Sequence, residues 1–362
     1  MGRPVLARRR LLAAASLSPL FGGFSAARAQ SAKWVLGQSL PLTGPGYPVA
    51  NRIMAGARAQ IDALNARGGV LGRPLEMITL DDRGEPQRTA EQVRLLARQH
   101  GALAIVNVMG EAASLAAAQA AQEQGVPLVG PLSGAMALRQ PGLRHVYTLG
   151  PDDRRESHVL LGQLRAVGIS RAVLLADGWE PAREQVLFDT LQAGGLSLGR
   201  VATAVDGHAL EADLASALRE SPQALVLQLG PACLDALSRL PPAALGRLPG
   251  LVASLCNPSL TQLTRLLRDR TLGFTSGVPI PELSQLPLVR EFERDVETLG
   301  SPEAVSFEGI AAYLHVRLCA EAWRRAGPRA ETMGLGRAIE ALGELSLGGF
   351  ALRFGADRHH GA

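Results

Sequence analysis

The sequence contains few cysteines. Cys233, Cys256 and Cys319 form an odd and widely spaced set in a chain of 362 residues. Small domains held together by disulfides need a dense, even-numbered set, so that class of fold is excluded. Either a Cys233–Cys256 disulfide or three buried thiols would fit this set, and we favour the thiols. Because no two of the three have the short separation of zinc ligands, we predict no metal site.

The motifs of several large enzyme classes are also absent. The chain has no G-x-S-x-G nucleophile elbow, no H-E-x-x-H zinc motif and no Walker phosphate loop. Gly68, Gly69 and Gly72 end a helical pattern instead of leading a strand into a helix, so they do not predict a phosphate-binding turn. Asp81 and Asp82 fit turn and capping positions better than acid–base catalysis. We therefore predict that the protein is not an enzyme and needs no cofactor.

No hydrophobic run is long enough to anchor the chain in a membrane. The run Leu11–Phe24 is short and interrupted by serine, proline and glycine. It follows a cluster of arginines and precedes Ala27-Arg28-Ala29, which fits a signal-peptide cleavage site. We predict an export signal over residues 1–29, cut before Gln30. The Arg8-Arg9-Arg10 run fits a twin-arginine signal and an ordinary secretion signal equally well.

The excess of basic charge lies in this leading segment. The formal net charge of +4 and the sequence pI of about 9.4 suggest at first a nucleic-acid-binding protein. Five arginines and no acidic residue fall within the first 29 positions, so removing their charges from +4 leaves the remainder near −1. The mature chain has no basic footprint, and we predict no nucleic-acid partner.

Short apolar runs alternate with helical patterns along the rest of the chain. Trp34–Leu40 and Leu75–Leu80 are predicted strands, and the alternation restarts after His145–Leu149. This order predicts the α/β class, with two doubly wound parallel-sheet lobes and a crevice between them. Further strands are predicted at Ala102–Val108, Val126–Gly130, Ala172–Ala176, Ala224–Leu229, Leu251–Ser254 and Gly273–Val278, and a last, half-exposed one at Leu347–Phe354.

Two loops rich in small residues follow neighbouring predicted strands in the first half. They are Gly110–Ser114 and Pro131–Ala135. Ligands of open parallel sheets bind at the carboxyl ends of strands, where small residues let them approach the backbone. The start of the helix after the first loop offers unpaired N–H groups and partial positive charge, which suits a carboxylate. Ordinary strand-to-helix turns would have the same composition.

Several ordered motifs resemble one protein family. The chain resembles the leucine/isoleucine/valine-binding type of periplasmic solute-binding proteins, which serve ATP-driven (ABC) importers. The matching motifs are N-x-x-G-G-V-x-G-R at residues 65–73, D-D at 81–82, G-V-P-x-V-x-P at 125–131, S-x-E-G at 306–309, G-G-F at 348–350 and H-G at 360–361. They extend in order from about residue 33 to 362.

This resemblance implies a type I periplasmic-binding fold, with two lobes joined by a three-strand hinge. The first lobe would comprise 30–147 and 283–344, and the second 150–278 and 347–362. The implied function is to capture an amino acid or a related small polar solute in the periplasm and to deliver it to an ABC permease in the inner membrane. We expect a monomer. The alternative is an extracytoplasmic sensor for a signalling partner, with no transport role.

The predicted solute contacts come from both lobes. Glu111 stands where the family commonly has serine, which leads to the hypothesis that the solute has a positive or donor-rich group, or lacks a carboxylate. Trp179 fits either a solute-stacking aromatic or a surface aromatic. The predicted ligand-binding residues are Tyr47, Glu111, Ala112, Ser114, Leu132, Ser133, Gly134, Asp153, Trp179 and Asn257.

Three arginines are predicted to be exposed. Arg52, Arg58 and Arg183 lie in helical patterns, where charged side chains normally face water. They would be solvated or would contact the permease.

Overall fold

The computed structural model describes residues 33–255, 260–267 and 270–361. The predicted signal segment and Asn257 lie outside these ranges. The strands are β1 (Trp34–Leu40), β2 (Leu75–Asp81), β3 (Ala104–Val106), β4 (Leu128–Val129), β5 (Val146–Tyr147), β6 (Arg171–Ala176), β7 (Ser197–Ala202), β8 (Ala224–Gln228), β9 (Leu251–Ser254), β10 (Thr271–Phe274), β11 (Glu344–Leu347) and β12 (Phe350–Arg353).

Helices follow most of the strands, as the alternating pattern predicts. They are α1 (Tyr47–Ala66), α2 (Pro86–Arg98), α3 (Glu111–Gln124), α4 (Asp153–Ala166), α5 (Pro181–Ala193), α6 (Leu210–Leu218), α7 (Pro231–Ser238), α8 (Pro242–Leu245), α9 (Leu260–Leu266), α10 (Pro287–Leu299), α11 (Phe307–Ala326), α12 (Ala330–Met333) and α13 (Leu335–Glu340). None of the helices in the described ranges has the length and apolar content needed to cross a bilayer.

The first sheet is parallel and has the strand order β2-β1-β3-β4-β5. Successive side chains of a strand point to opposite faces, so each strand supplies two cores. Leu36 and Val106 face a core shared with α1, α10 and α11. Ile105 and Leu128 face the other core, under α2 and α3. Because both faces are covered, the central strands β3 and β4 are apolar runs without polar alternation, whereas the half-buried edge strand β2 carries polar residues such as Glu76.

The second sheet has the same construction, with the order β10-β9-β8-β6-β7. Val173 and Leu225 face a core with α6 and α7, whereas Leu174 and Val226 face α4 and α5. The predicted fold class of two doubly wound parallel-sheet lobes is therefore confirmed.

Two strand predictions need correction. β7 was not predicted; it is an edge strand whose residues are only half-buried or exposed, so it lacks the apolar run that marks the central strands. The predicted single strand Leu347–Phe354 is part of an antiparallel hairpin, β11–β12, that turns at Gly348 and Gly349. Both glycines have positive φ, +56° and +94°, which a side chain would disfavour.

The chain passes from the first sheet towards the second between β5 and α4, and returns between β10 and α10. Leu347, Leu352 and Phe354 of the C-terminal hairpin region are buried in the same core as α1 and α11. The exact division into 30–147 with 283–344 and 150–278 with 347–362 stays a prediction.

α1 and α11 pack closely in the first lobe. A methyl group built at Gly56 would lie 2.1 Å from the carbonyl oxygen of Gly309, so the two backbones are nearly in contact. Beside this contact, Arg52 Nη2 lies 3.2 Å from Glu308 Oε1. Arg52 is only 7% exposed and Glu308 is fully buried, so the prediction that Arg52 faces water is wrong. The arginine is buried because α11 supplies its counter-charge.

Gly56→Ala should test this helix contact. The added methyl group would meet backbone rather than a movable side chain, so we expect the free energy of unfolding to fall by about 1–3 kcal/mol. The matched control is Gly162→Ala in α4, where a methyl group meets nothing within 4 Å. That change should raise stability by about 0.5–1 kcal/mol through helix propensity. Urea unfolding measures both, and equal stabilities of Gly56→Ala and the parent protein would refute the contact.

Candidate functional site

The carboxyl ends of strands from both sheets meet at the crevice between the lobes. Two cavities lie there. The first, of about 70 Å³, is lined by the loop after β4, by the crossing at Thr148–Pro151 and by the side chains of Glu156 and Arg183. The second, of about 200 Å³, is lined by the loop after β3, by Trp179 and by Gly230–Ala232. Each cavity therefore takes wall residues from both lobes.

Trp179 reaches across the crevice and fits between two glycines. A methyl group at Gly110 in the first lobe would lie 3.1 Å from the indole ring, and one at Gly230 in the second lobe would lie 2.6 Å from it. Gly110 also has a φ of +84°, which favours glycine. The indole packs against the core of the first lobe although it belongs to the second. It thus forms part of the contact between the lobes.

A cluster of buried charges lies beside this aromatic contact. Arg183, in the first turn of α5, is 3% exposed and is surrounded by three carboxylates of its own lobe. Its guanidinium nitrogens lie 3.2 Å from Asp153 Oδ1, 3.0 Å from Glu156 Oε2 and 3.1 Å from Glu180 Oε2. Asp153 and Glu156 project from the first turn of α4 with the i,i+3 spacing that places two side chains on one helix face.

The acidic groups of this cluster outnumber its single arginine, and their pKa values are shifted. Burial raises the pKa of Glu156 to about 8, although Arg183 acts in the opposite direction. Burial likewise raises the pKa of Asp153 and of Glu180. Burial alone would lower the pKa of Arg183, but the surrounding carboxylates outweigh it and raise that pKa. One permanently charged guanidinium is thus the shared counter-charge of three acids. Ionising all three acids together would be costly.

Two hydrogen bonds join the lobes at this cluster. The backbone N–H of Glu111, at the start of α3, donates to Glu180 Oε1 at 3.1 Å. The backbone N–H of Asp153, at the start of α4, donates to the carbonyl of Gly134 at 2.9 Å. The Glu111 side chain lies in the second cavity, and its Oε2 is buried without a hydrogen-bond partner among the described residues. Burial and the nearby Asp153 raise the pKa of Glu111.

A buried histidine, His315, lines the first cavity. The His315 ring lies against Gly130, where a methyl group would come within 2.1 Å of it. His315 Nδ1 lies 2.7 Å from Asn107 Oδ1, and Asn107 is itself bonded to Gln38. Burial lowers the pKa of His315 to about 3, so the ring is neutral at ordinary pH.

An arginine fixes the wall of the first cavity. Arg139 donates to the Thr148 hydroxyl at 2.7 Å and to the carbonyls of Gly150 and Pro151. These three residues lie where the chain leaves the first lobe. Burial lowers the pKa of Arg139.

Most of the predicted site residues lie at the crevice. Those in the first cavity are Leu132, Ser133 and Gly134, those in the second are Glu111, Ala112 and Trp179, and Asp153 belongs to the charge cluster.

Of the other three predicted residues, two lie away from the cavities. Ser114 is buried, and its hydroxyl donates to the Val108 carbonyl within its own loop. Tyr47 is 45% exposed at the start of α1 and is not among the residues that line the two cavities. Asn257 falls in the part of the chain that is not described.

The sequence interpretation missed several residues of this site. Arg183 was predicted to be exposed, which is wrong because three acids bury it. Glu156, Glu180, Arg139 and His315 were not singled out. The Glu180–Arg183 and Asp153–Glu156 spacings are usable signals, since each places two charges on one helix face beside a strand end. Nothing in the sequence pattern points to His315, whose role depends on contacts between distant segments.

Neither of the two described cysteines lines the two cavities. Cys233 and Cys319 are buried thiols, and burial raises the pKa of Cys233 to about 12. Cys256 lies outside the described ranges. Among the described residues, no group of three or more histidine, cysteine, aspartate or glutamate side chains could hold a metal ion.

The raised pKa of Glu156 predicts that stability falls as the pH rises. A carboxyl that holds its proton more tightly in the folded protein stabilises the fold at low pH, and this contribution is lost between the ordinary glutamate range and about pH 8. One such group contributes a slope of up to about 1.4 kcal/mol per pH unit. Glu156→Gln should flatten the dependence of unfolding free energy on pH between 5 and 8, and the exposed control Glu282→Gln should leave it unchanged. Identical slopes in all three proteins would contradict the assignment.

Comparisons with known proteins agree with this architecture. The family model described as periplasmic binding protein matches residues 33–362. A Leu/Ile/Val-binding protein of Rhizobium johnstonii is 26% identical over 165 residues, so the match spans 45% of this chain and 45% of that protein.

Solved structures show the same fold. A possible leucine/isoleucine/valine-binding protein from Rhodopirellula baltica superposes with a TM-score of 0.81 at 23% identity, covering 93% of this chain and 94% of that one. A solute-binding protein of an ABC transporter from R. palustris, solved in complex with benzoate, gives a TM-score of 0.75 at 15% identity, covering 91% of each chain. This is a family of non-enzymatic, extracytoplasmic proteins that bind small solutes for ABC transporters, and the matched residues extend over nearly the whole chain. The chain belongs to the periplasmic binding protein family and is similar to proteins of the leucine/isoleucine/valine-binding type.

Proposed function

We propose that this protein captures a small polar solute between its lobes in the periplasm and delivers it to an ABC permease in the inner membrane. The observation that carries the proposal is the construction of the crevice. Both cavities are walled by loops from the two sheets, so a molecule held there would contact both lobes at once. The export signal, the permease partner and the monomeric state are parts of the same proposal.

The charges at the crevice favour a solute with a positive or donor-rich group. Asp153, Glu156 and Glu180 place three carboxyl groups around one guanidinium, and Glu111 adds a fourth carboxyl group nearby. A cationic or donor group would lower the cost of ionising these acids, whereas another carboxylate would raise it. Amino acids, amides and small amines fit this requirement. Aromatic acids are a comparison class, since a structural neighbour was solved with benzoate.

Capture would work by hinge closure. A solute that binds the first lobe and then gains contacts with the second stabilises the closed arrangement and shifts the equilibrium towards it. Trp179 and the two hydrogen bonds between the lobes are contacts that opening would break. The closed protein would then present both lobes to the permease in a fixed relation.

A solute screen tests this proposal. A ligand that binds only the folded protein stabilises it, by about 2.7 kcal/mol at a concentration 100 times its dissociation constant. We expect at least one amino acid, amide or small amine to raise the melting temperature and to reduce the radius of gyration in solution scattering. If no compound in the panel, including aromatic acids, changes either quantity, the proposed function is wrong.

Glu111→Gln tests the solute chemistry. Removing the charge of a half-buried carboxyl that contacts a cationic or donor group should weaken binding of the best such solute by about tenfold, measured by calorimetry. Glu282→Gln, an exposed change, should leave the affinity unchanged. Binding of leucine that is undiminished in Glu111→Gln would contradict the hypothesis of a donor-rich solute.

A further inference from the structure

The start of α3 is already occupied by a carboxylate of the protein itself. Gly110, at the N-cap, has no side chain, and no side chain caps the helix from within its own loop. The first N–H groups of a helix have no partner inside the helix and attract anions. Here the Glu111 N–H donates to Glu180 Oε1, across the crevice, at 3.1 Å.

The Glu180 side chain is held firmly in this position. It is only 5% exposed, and its second oxygen, Oε2, lies 3.1 Å from Arg183 Nη1. Trp179, the preceding residue, is fixed between Gly110 and Gly230. One carboxylate oxygen therefore binds the first lobe while the other is bound to a cation of the second, which is how a bridging acidic solute would be held.

We propose that Glu180 is a built-in substitute for a solute carboxylate: it holds the lobes together when no solute is bound and excludes free carboxylates from the start of α3. This inference rests on the proposed function in treating the crevice as the solute site. It deepens that function by assigning a solute class. The protein accepts solutes that present an amine, amide or hydroxyl to this wall, and selects against those that present a carboxylate.

The buried Glu111 side chain points to the same class. Its Oε2 has no hydrogen-bond partner in the described part of the chain and lies in the adjoining cavity. A solute donor would satisfy this oxygen, whereas a second carboxylate beside Glu111 and Glu180 would add like charge in a region of low dielectric.

Acetate provides the direct test because it is a free carboxylate small enough to replace the one removed. In Glu180→Ala, we expect sodium acetate to raise the melting temperature by about 1–2 °C over equal ionic strength of sodium chloride. The parent protein and the control Glu184→Ala should not respond. Glu184 is a buried acid in the first turn of α5, the helix that begins directly after Glu180, but it accepts from Gly178 N–H within the second lobe. No acetate response in Glu180→Ala, or the same response in all three proteins, would overturn the proposal.

Hydrogen exchange gives a readout that needs no added anion. The Glu111 amide should exchange at least about tenfold faster in Glu180→Ala than in the parent protein, because the acceptor that Glu180 provides is removed. Glu180→Asp serves if the alanine variant does not fold. It keeps a negative charge near Arg183 while its shorter side chain withdraws from Glu111, so we expect the same faster exchange. If the Glu111 amide exchanges at the same rate in the folded variant as in the parent protein, the proposal that Glu180 takes the place of a solute carboxylate is wrong.

These experiments distinguish a failure of the proposed function from a failure of the proposed role of Glu180. If the parent protein binds no compound in the solute panel while Glu180→Ala responds to acetate, the proposed function fails and the role of Glu180 stands. If the parent protein binds a solute while Glu180→Ala shows neither an acetate response nor faster exchange of the Glu111 amide, the proposed role of Glu180 is wrong and the proposed function stands.

Discussion

A single guanidinium, that of Arg183, determines how the crevice is built. Three carboxylates converge on it within 3.2 Å, and all four side chains are buried. Leaving one partner of a buried ion pair without the other typically costs about 3–5 kcal/mol. The first turns of α4 and α5 are therefore held together by a charge that neither helix could bury alone. The loop that contains Trp179 leads directly into the first turn of α5.

The same cluster connects the interior of one lobe with the surface of the other. Glu180 is shared between Arg183 and the start of α3, so the arrangement of charges in the second lobe reaches the first lobe through one side chain. The aromatic contact of Trp179 and the hydrogen bond from Asp153 to Gly134 lie next to it. A solute entering the crevice would meet charges that are already largely paired within the protein, whereas Glu111 Oε2 still lacks a hydrogen-bond partner among the described residues.

The architecture could be predicted from sequence because burial on both faces leaves a local signature. β1 and β9 are mostly apolar segments, and their observed bounds equal the predicted ones. β7 could not be found in this way, because an edge strand is half-exposed and shows neither a continuous run nor a clear alternation. The hairpin β11–β12 was merged into one strand because the Gly348-Gly349 turn is short and the residues on both sides are apolar.

The site was only partly predictable for a different reason. Strand-end loops mark where a ligand can bind, and seven of the ten predicted residues do lie at the crevice. Arg183 was misassigned because a charged residue on a helix normally faces water, and only the meeting of α4 with α5 makes its burial affordable. His315 depends on a contact with Asn107, which is far away in sequence, and no local pattern encodes such a contact.

The indole between Gly110 and Gly230 fills the space between the two lobes at this point of the crevice. A side chain at either position would meet the ring. The two backbones can therefore come this close only because a glycine stands on each side of the indole.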